Sequence, residues 1–264
     1  MKWYILTDLE GACRVNRWDQ TRVDELTPDK LYARRMLTAE INAAVQGLYD
    51  ADHEAEILVW DGHGNGGIDN TLLDERIALI ARGSGIRPPY GLTAEHAGML
   101  VLGQHPMAGT PRGTLAHTYS SRTVEEYRLN GQPVGELGAR AVMAGTLGTR
   151  GVPTILVSGD DLACAEARAL IPEVYVVPTK TSLGEELAEH RAPAAVYSDL
   201  REQAAAAARA AANIPPVRWA PPYTLRARMK EGFGVEGYLR YDGATQIDER
   251  TVEVVTDDLT KTWI

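Results

Sequence analysis

In 264 residues the chain has two cysteines, one phenylalanine and no long apolar run. No stretch approaches the ~20 apolar residues that cross a bilayer, so the sequence offers no membrane span. Lys plus Arg number 27 against 36 for Asp plus Glu, a net charge of −9 without any basic block, which argues against nucleic acid or an anionic membrane as partner. Cys13 and Cys164 cannot build a disulfide framework and lack CxxC spacing, so they read as reduced thiols of a cytoplasmic protein. The N-terminal MKWYILTDLEGA breaks its short apolar run at Asp8 and Glu10, which does not read as a signal peptide. With one Phe against eleven Tyr and five Trp, the core must rest on Leu, Val, Ile, Ala and Met. Hydrophobic residues at 44% and charged residues at 24% are ordinary for a globular chain. No internal repeat is visible.

Five short apolar runs read as strands buried on both faces, the mark of a parallel sheet: Trp3–Thr7, Glu56–Trp60, Met99–Gly103, Thr154–Ser158 and Val174–Pro178. Between them, apolar residues recur at helical spacing from Lys30 to Tyr49. Further helices are expected over Thr71–Ala81 with Asn70 as N-cap, Glu136–Thr146, Leu162–Leu170 opened by Asp160 or Asp161, Leu183–His190 with Ser182 as N-cap, and Arg201–Ala212. The alternation predicts an α/β fold, a mainly parallel sheet with helices on both faces. Past Ile214 the pattern changes. Paired prolines punctuate it, and Tyr223–Met229 and Thr251–Val255 alternate with period two. The expected organisation is a metal-binding α/β domain over 1–212 and a smaller α+β region with antiparallel strands over 213–264, joined by the 80–97 segment.

Ligands of open α/β sheets bind beyond the carboxyl ends of the strands. The first strand runs into Asp8 and Glu10, the second into Asp61-Gly62-His63, the third into Gln104-His105. Carboxylates and imidazoles brought to one sheet edge suit Zn²⁺, Mn²⁺ or Fe²⁺ better than Ca²⁺. Gly62–Gly67 also matches G-x-G-x-x-G, the dinucleotide fingerprint, but no acidic strand end follows about 20 residues later. The glycines are then better read as a tight turn that delivers His63. Taken alone, His117 reads as a structural hydrogen bonder and Glu136 as a first-turn acid that compensates a helix dipole. His53, His96 and His190 read as surface residues.

Together the motifs resemble a family. Asp8-Leu9-Glu10-Gly11, Asp61-Gly62-His63, Leu102-Gly103-Gln104-His105, Ala116-His117-Thr118-Tyr119-Ser120 and Asn130-Gly131-Gln132-Pro133-Val134-Gly135-Glu136-Leu137-Gly138 stand in the order and spacing of zinc D-aminopeptidases of the DppA type. Val157–Asp161 and Lys180-Thr181 extend the likeness to residue 183. The resemblance implies two Zn²⁺ per chain, with Mn²⁺ or Co²⁺ as substitutes: Asp8 bridging both, Glu10 and His63 on one, His105 and Glu136 on the other, and His117 catalytic. It implies a metallopeptidase that removes N-terminal D-residues from short peptides through a zinc-bound hydroxide, and a homo-oligomer, a decameric ring. The segment Gly64–Gly67 and Pro106 depart from that pattern and reshape the pocket wall. Another dinuclear-metal amidase or phosphoesterase would share these ligands; a non-catalytic cytosolic peptide-binding protein, its metal structural or absent, is the alternative of another class.

Overall fold

The computed structural model describes residues 1–81 and 85–264. Its larger sheet has seven strands: β1 Lys2–Thr7, β2 Glu56–Asp61, β3 Ala78–Ile80, β4 Gly98–Gln104, β7 Thr154–Asp160, β8 Tyr175–Gly184 and β9 Leu187–His190. They lie in the order β3-β2-β1-β4-β7-β8-β9 and are parallel except for β9, which turns back along β8. Every residue of β4 and β7 is buried, which is why these strands read as unbroken apolar runs.

Among the described residues four α-helices accompany the sheet: α1 Pro28–Ala51, α2 Glu136–Thr146, α3 Asp161–Leu170 and α4 Pro193–Ala210. Thr27 caps α1 through the Lys30 amide and Asp160 caps α3 through the Ala163 amide. The second sheet is antiparallel, with β5 Val124–Leu129, β6 Gln132–Pro133, β10 Tyr223–Met229, β11 Ala244–Asp248 and β12 Thr251–Thr256 in the order β11-β12-β10-β5-β6. Along β10 every second residue is buried, the one-sided pattern of a half-covered sheet.

Two expectations are corrected. Thr71–Ala81 is no helix: Asp69 accepts from the Thr71 amide and Asp74 from the Arg76 amide, which folds the segment into turns that end in the edge strand β3. Leu183–His190 is the hairpin of β8 and β9, where Ser182 bonds Asp160 rather than capping a helix. The antiparallel sheet takes β5 and β6 from 124–133, and Tyr90 of the 80–97 segment donates its hydroxyl to the Ile264 carbonyl at 3.4 Å; residues 82–84 of that segment lie outside the described residues.

The sheet order reverses between β1 and β4, so the crevice at their carboxyl ends is the natural ligand position. Two glycines close that junction. A β-carbon at Gly11 would collide with the Gln104 carbonyl, and one at Gly103, which sits at φ 75°, with the Asp8 carbonyl. The Gly11 amide donates to the Gly103 carbonyl at 2.7 Å and the Asp8 amide to Leu102 at 2.8 Å. The chain segments that carry Asp8, Glu10 and His105 are thereby fastened side by side.

Candidate metal centre

Asp8 and Glu10 follow β1, His63 follows β2 and His105 follows β4. Glu136 opens α2, and His117 comes from the loop between β4 and β5. All six converge. Asp8, Glu10 and His63 form one group whose ligand atoms lie within 4.8 Å of one another; His105, His117 and Glu136 form a second. His105 Nε2 lies 3.1 Å from Asp8 and 3.4 Å from Glu136, which joins the groups. His63 Nε2 is 3.3 Å from Glu10.

The imidazoles are held from behind. His105 Nδ1–H donates to the Pro106 carbonyl at 3.0 Å and His117 Nδ1–H to the Leu115 carbonyl at 2.8 Å. Each ring therefore turns Nε2 toward the centre. The two rings stack at 3.8 Å, and Trp18 meets His117 edge-on at 5.7 Å. Glu136 Oε1 accepts the Tyr119 amide at 2.5 Å. Gly67 donates to Asp61 at 2.8 Å, which folds the glycine-rich loop around His63.

Burial weighs against charge on every member, and the pairings set the outcome. Asp8 is pushed up to about 6 by burial and by the Glu10 carboxylate. Burial opposes ionisation of Glu10, but the His63 ring overrides it and holds the carboxyl well below its ordinary value. Burial also opposes the charge on Glu136, yet the His105 ring beside it brings it down to about 2. His105 is raised well above an ordinary imidazole, because Asp8 and Glu136 overcome its burial. His117 goes the other way, down to about 4, from burial and the neighbouring His105.

Glu10 Oε2, His63 Nδ1 and His105 Nε2 are buried without a hydrogen-bond partner among the described residues. For buried ionisable atoms that is costly unless something else meets them. An oxygen and imidazole donor set with no thiolate is what a divalent ion such as Zn²⁺ takes. The residues fit metal ions.

Sequence reasoning passed over several residues of the same cleft. Arg140 stands one turn beyond Glu136 on α2, 7% exposed, over the rings of Tyr90, Trp60 and Tyr119 at 4.2, 5.2 and 5.3 Å. The i, i+4 spacing from Glu136 was its signal. Arg22, Asn65 and Arg122 also line the cleft, and nothing local in the sequence marks them. Of the histidines read as surface residues, His96 is buried and packs edge-on against Tyr4 at 5.5 Å.

A sequence model of the D-aminopeptidase family matches residues 1–263, and the chain belongs to this family of peptidase hydrolases. The D-aminopeptidase of Bacillus subtilis (strain 168) is 31% identical over 209 residues, which span 78% of this chain and 73% of that protein. Among solved structures, the Zn-dependent D-aminopeptidase DppA from Bacillus subtilis, a self-compartmentalizing protease, superposes with a TM-score of 0.87 at 27% identity. That match covers 99% of this chain and 93% of DppA. No helix among the described residues is long and apolar enough to cross a membrane.

Proposed function

We propose that this chain is a zinc-dependent aminopeptidase that removes the N-terminal residue, a D-residue by preference, from short peptides at a dinuclear centre. The observation that carries the reading is the pair of three-residue ligand groups joined through His105 and Asp8. In it, Glu10 and His63 would hold one ion and His105 and Glu136 the other, with Asp8 shared between them. The ions, when bound, supply Lewis acidity and a water acidic enough to ionise near neutral pH.

The chain's own groups do the rest. His117 is uncharged at neutral pH and turns Nε2 toward the centre, because Nδ1–H is committed to Leu115. That nitrogen takes a proton as water adds to the scissile carbonyl and returns it to the leaving amine. His105 and Trp18 fix the ring from two sides, so the proton moves along a set direction. Arg140, caged by aromatic rings beside Glu136, offsets the carboxylate charge and leaves Nη1 without a partner in the cleft. We further propose residues 1–212 as the metal-binding domain, a cytoplasmic location, and assembly into a ring like that of a self-compartmentalizing protease, which light scattering tests.

Elemental analysis of protein purified without chelator or His-tag tests the centre. About two transition-metal ions per chain, with cleavage of dipeptides that start with a D-residue, is the expected result. No bound metal and none taken up on adding Zn²⁺ would sink it.

A further inference from the structure

The cleft around the two ligand groups has a volume of about 380 Å³, and its outer lining includes Arg22, Asp24, Ser121 and Arg122. That volume suits a small ligand. Two guanidinium groups stand there, and neither forms an ion pair with a carboxylate among the described residues. Arg22 is held in place. Its guanidinium lies 3.2 Å from the Trp18 ring centre, and Nε donates to Ser121 at 2.8 Å, which leaves its Nη groups uncommitted. Nearby Glu185 and Glu186 are occupied by Trp18, whose Nε1–H and backbone N–H they accept at 3.1 and 2.8 Å. Burial and the like charge of Arg122 both lower the pKa of Arg22, so the pair stands in an environment that an added anion would relieve. Arg140 at the inner end is already engaged by three rings and faces Glu136. Apart from the ligand carboxylates, Asp24 is the one carboxylate lining the cleft among the described residues.

Position gives the pair a use. Trp18 carries Arg22 on its face and meets His117 with its edge, so a single indole separates the guanidinium from the ring at the reaction centre. An extended peptide advances about 3.3–3.6 Å per residue, so one or two residues beyond the scissile bond cover that distance. We infer that Arg22 and Arg122 form a carboxylate clamp on the leaving side of the peptide, selecting substrates that carry an anionic group one or two residues past the bond that is cut. The inference rests on the aminopeptidase reading above and adds what the substrate must carry. Two sources supply a carboxylate there: the free C-terminus of a di- or tripeptide, or an acidic side chain next to the scissile bond. Guanidinium planes meet either through paired charge-assisted hydrogen bonds.

The test uses the zinc-loaded protein and three substrates: alanyl-alanine, alanyl-alanine amide and alanyl-glutamic acid α-amide, each as D,D and L,L forms. The free acid should exceed the alanine amide in kcat/KM by at least about tenfold, mostly through KM. In Arg22→Gln and Arg122→Gln that ratio should fall toward one while zinc content matches the parent. Arg122 is exposed, so its variant keeps the test open even if Arg22→Gln folds poorly. Restored preference for the glutamate amide means an acidic side chain fills the clamp; no restoration means it reads the chain terminus. Both outcomes support a carboxylate clamp. A parent that prefers neither the free acid nor the glutamate amide over the alanine amide, or a preference unchanged in both variants, overturns it. Cleavage of none of the three by loaded protein overturns the aminopeptidase reading itself.

Discussion

Two buried polar clusters lie on opposite sides of the segment from Asp8 to Val15, and they differ in what satisfies them. In front are Asp8, Glu10, His63, His105 and Glu136, with three polar atoms that meet no partner among the described residues. Behind is Lys180, 1% exposed, whose ammonium donates to the carbonyls of Glu10, Ala12 and Val15 at 2.5, 2.9 and 2.6 Å. Thr179 adds a bond to the Gly11 carbonyl at 2.6 Å, and Glu40 accepts the Cys13 amide at 2.6 Å. Three donors on three acceptors leave Lys180 complete. Both clusters are charged and buried, so charge and burial alone do not separate function from support. Satisfaction separates them by degree: behind, Lys180 and Thr179 close on the protein's own carbonyls and Glu40 Oε2 alone is left without a partner among the described members of the cluster, whereas the front cluster leaves three such atoms beside a cleft.

The sharpest way to break this contrast is to change the front. Asp8→Asn keeps the volume and removes the bridging charge. Its kcat/KM should fall by more than about a hundredfold, since even residues that only orient metal ligands cost 10–100-fold. Metal content should drop with it. The metal-free variant should melt no lower than the metal-free parent, because a carboxylate pushed up to about 6 by burial and Glu10 is already strained toward neutrality. Full retention of metal in Asp8→Asn would end the bridging role. His117→Gln should come next, with kcat down by about 10²–10⁴ and the metal retained. Loss of metal in that variant would move His117 into the ligand set, where its distance to Glu136 also allows it to stand.

The rear cluster should answer in stability. Lys180→Met removes all three donors and leaves three buried carbonyls to find other partners. Urea unfolding of metal-free protein should show a loss of roughly 3 kcal/mol, at about 1–3 kcal/mol for each unsatisfied buried group with partial relaxation. A loss below about 0.5 kcal/mol, the range of ordinary surface changes, would show that the loop holds its shape without Lys180.

Much of this layout is readable in the sequence, for a physical reason that also explains the failures. β1, β2, β4, β7 and β8 are covered on both faces, so their apolar runs announce them, and the residues just past them become the candidates Asp8, Glu10, His63 and His105. Glu136 gives no such signal. A Glu in a first helical turn is commonplace, and only its resemblance to a family motif singled it out. The errors fell where tertiary partners override local preference. Thr71–Ala81 has helical spacing, but Asp69 and Asp74 bond the amides of Thr71 and Arg76 two residues on and hold turns there instead. Leu183–His190 is rich in helix formers, yet Glu185 and Glu186 are tied to Trp18 across the chain, and β9 returns along β8. Arg22 and Arg122 are placed by loops whose course depends on those same long-range ties, so no spacing rule reaches them.

The smallest expected effect separates the clusters by pH. Glu40 is fully buried behind the loop, and burial pushes its carboxyl up to about 7, against the stabilising Cys13 amide and the Lys180 charge. The folded protein therefore holds a proton on Glu40 between about 4.5 and 7 that the unfolded chain has released. A raised carboxyl contributes stability that is complete below the unfolded value and is lost as pH rises through the folded one. Unfolding free energy should carry a falling component across that window, at most about 3 kcal/mol in total. Glu40→Gln keeps an acceptor for the Cys13 amide and cannot titrate. The variant should flatten the fall between pH 5 and 8 and be the more stable protein at pH 8, by about 1–3 kcal/mol. Urea titrations at pH 5, 6, 7 and 8 on chelated protein read this directly. An unchanged slope in Glu40→Gln would mean that the falling component belongs to the front carboxylates instead, and that the rear cluster stays fully charged through neutrality.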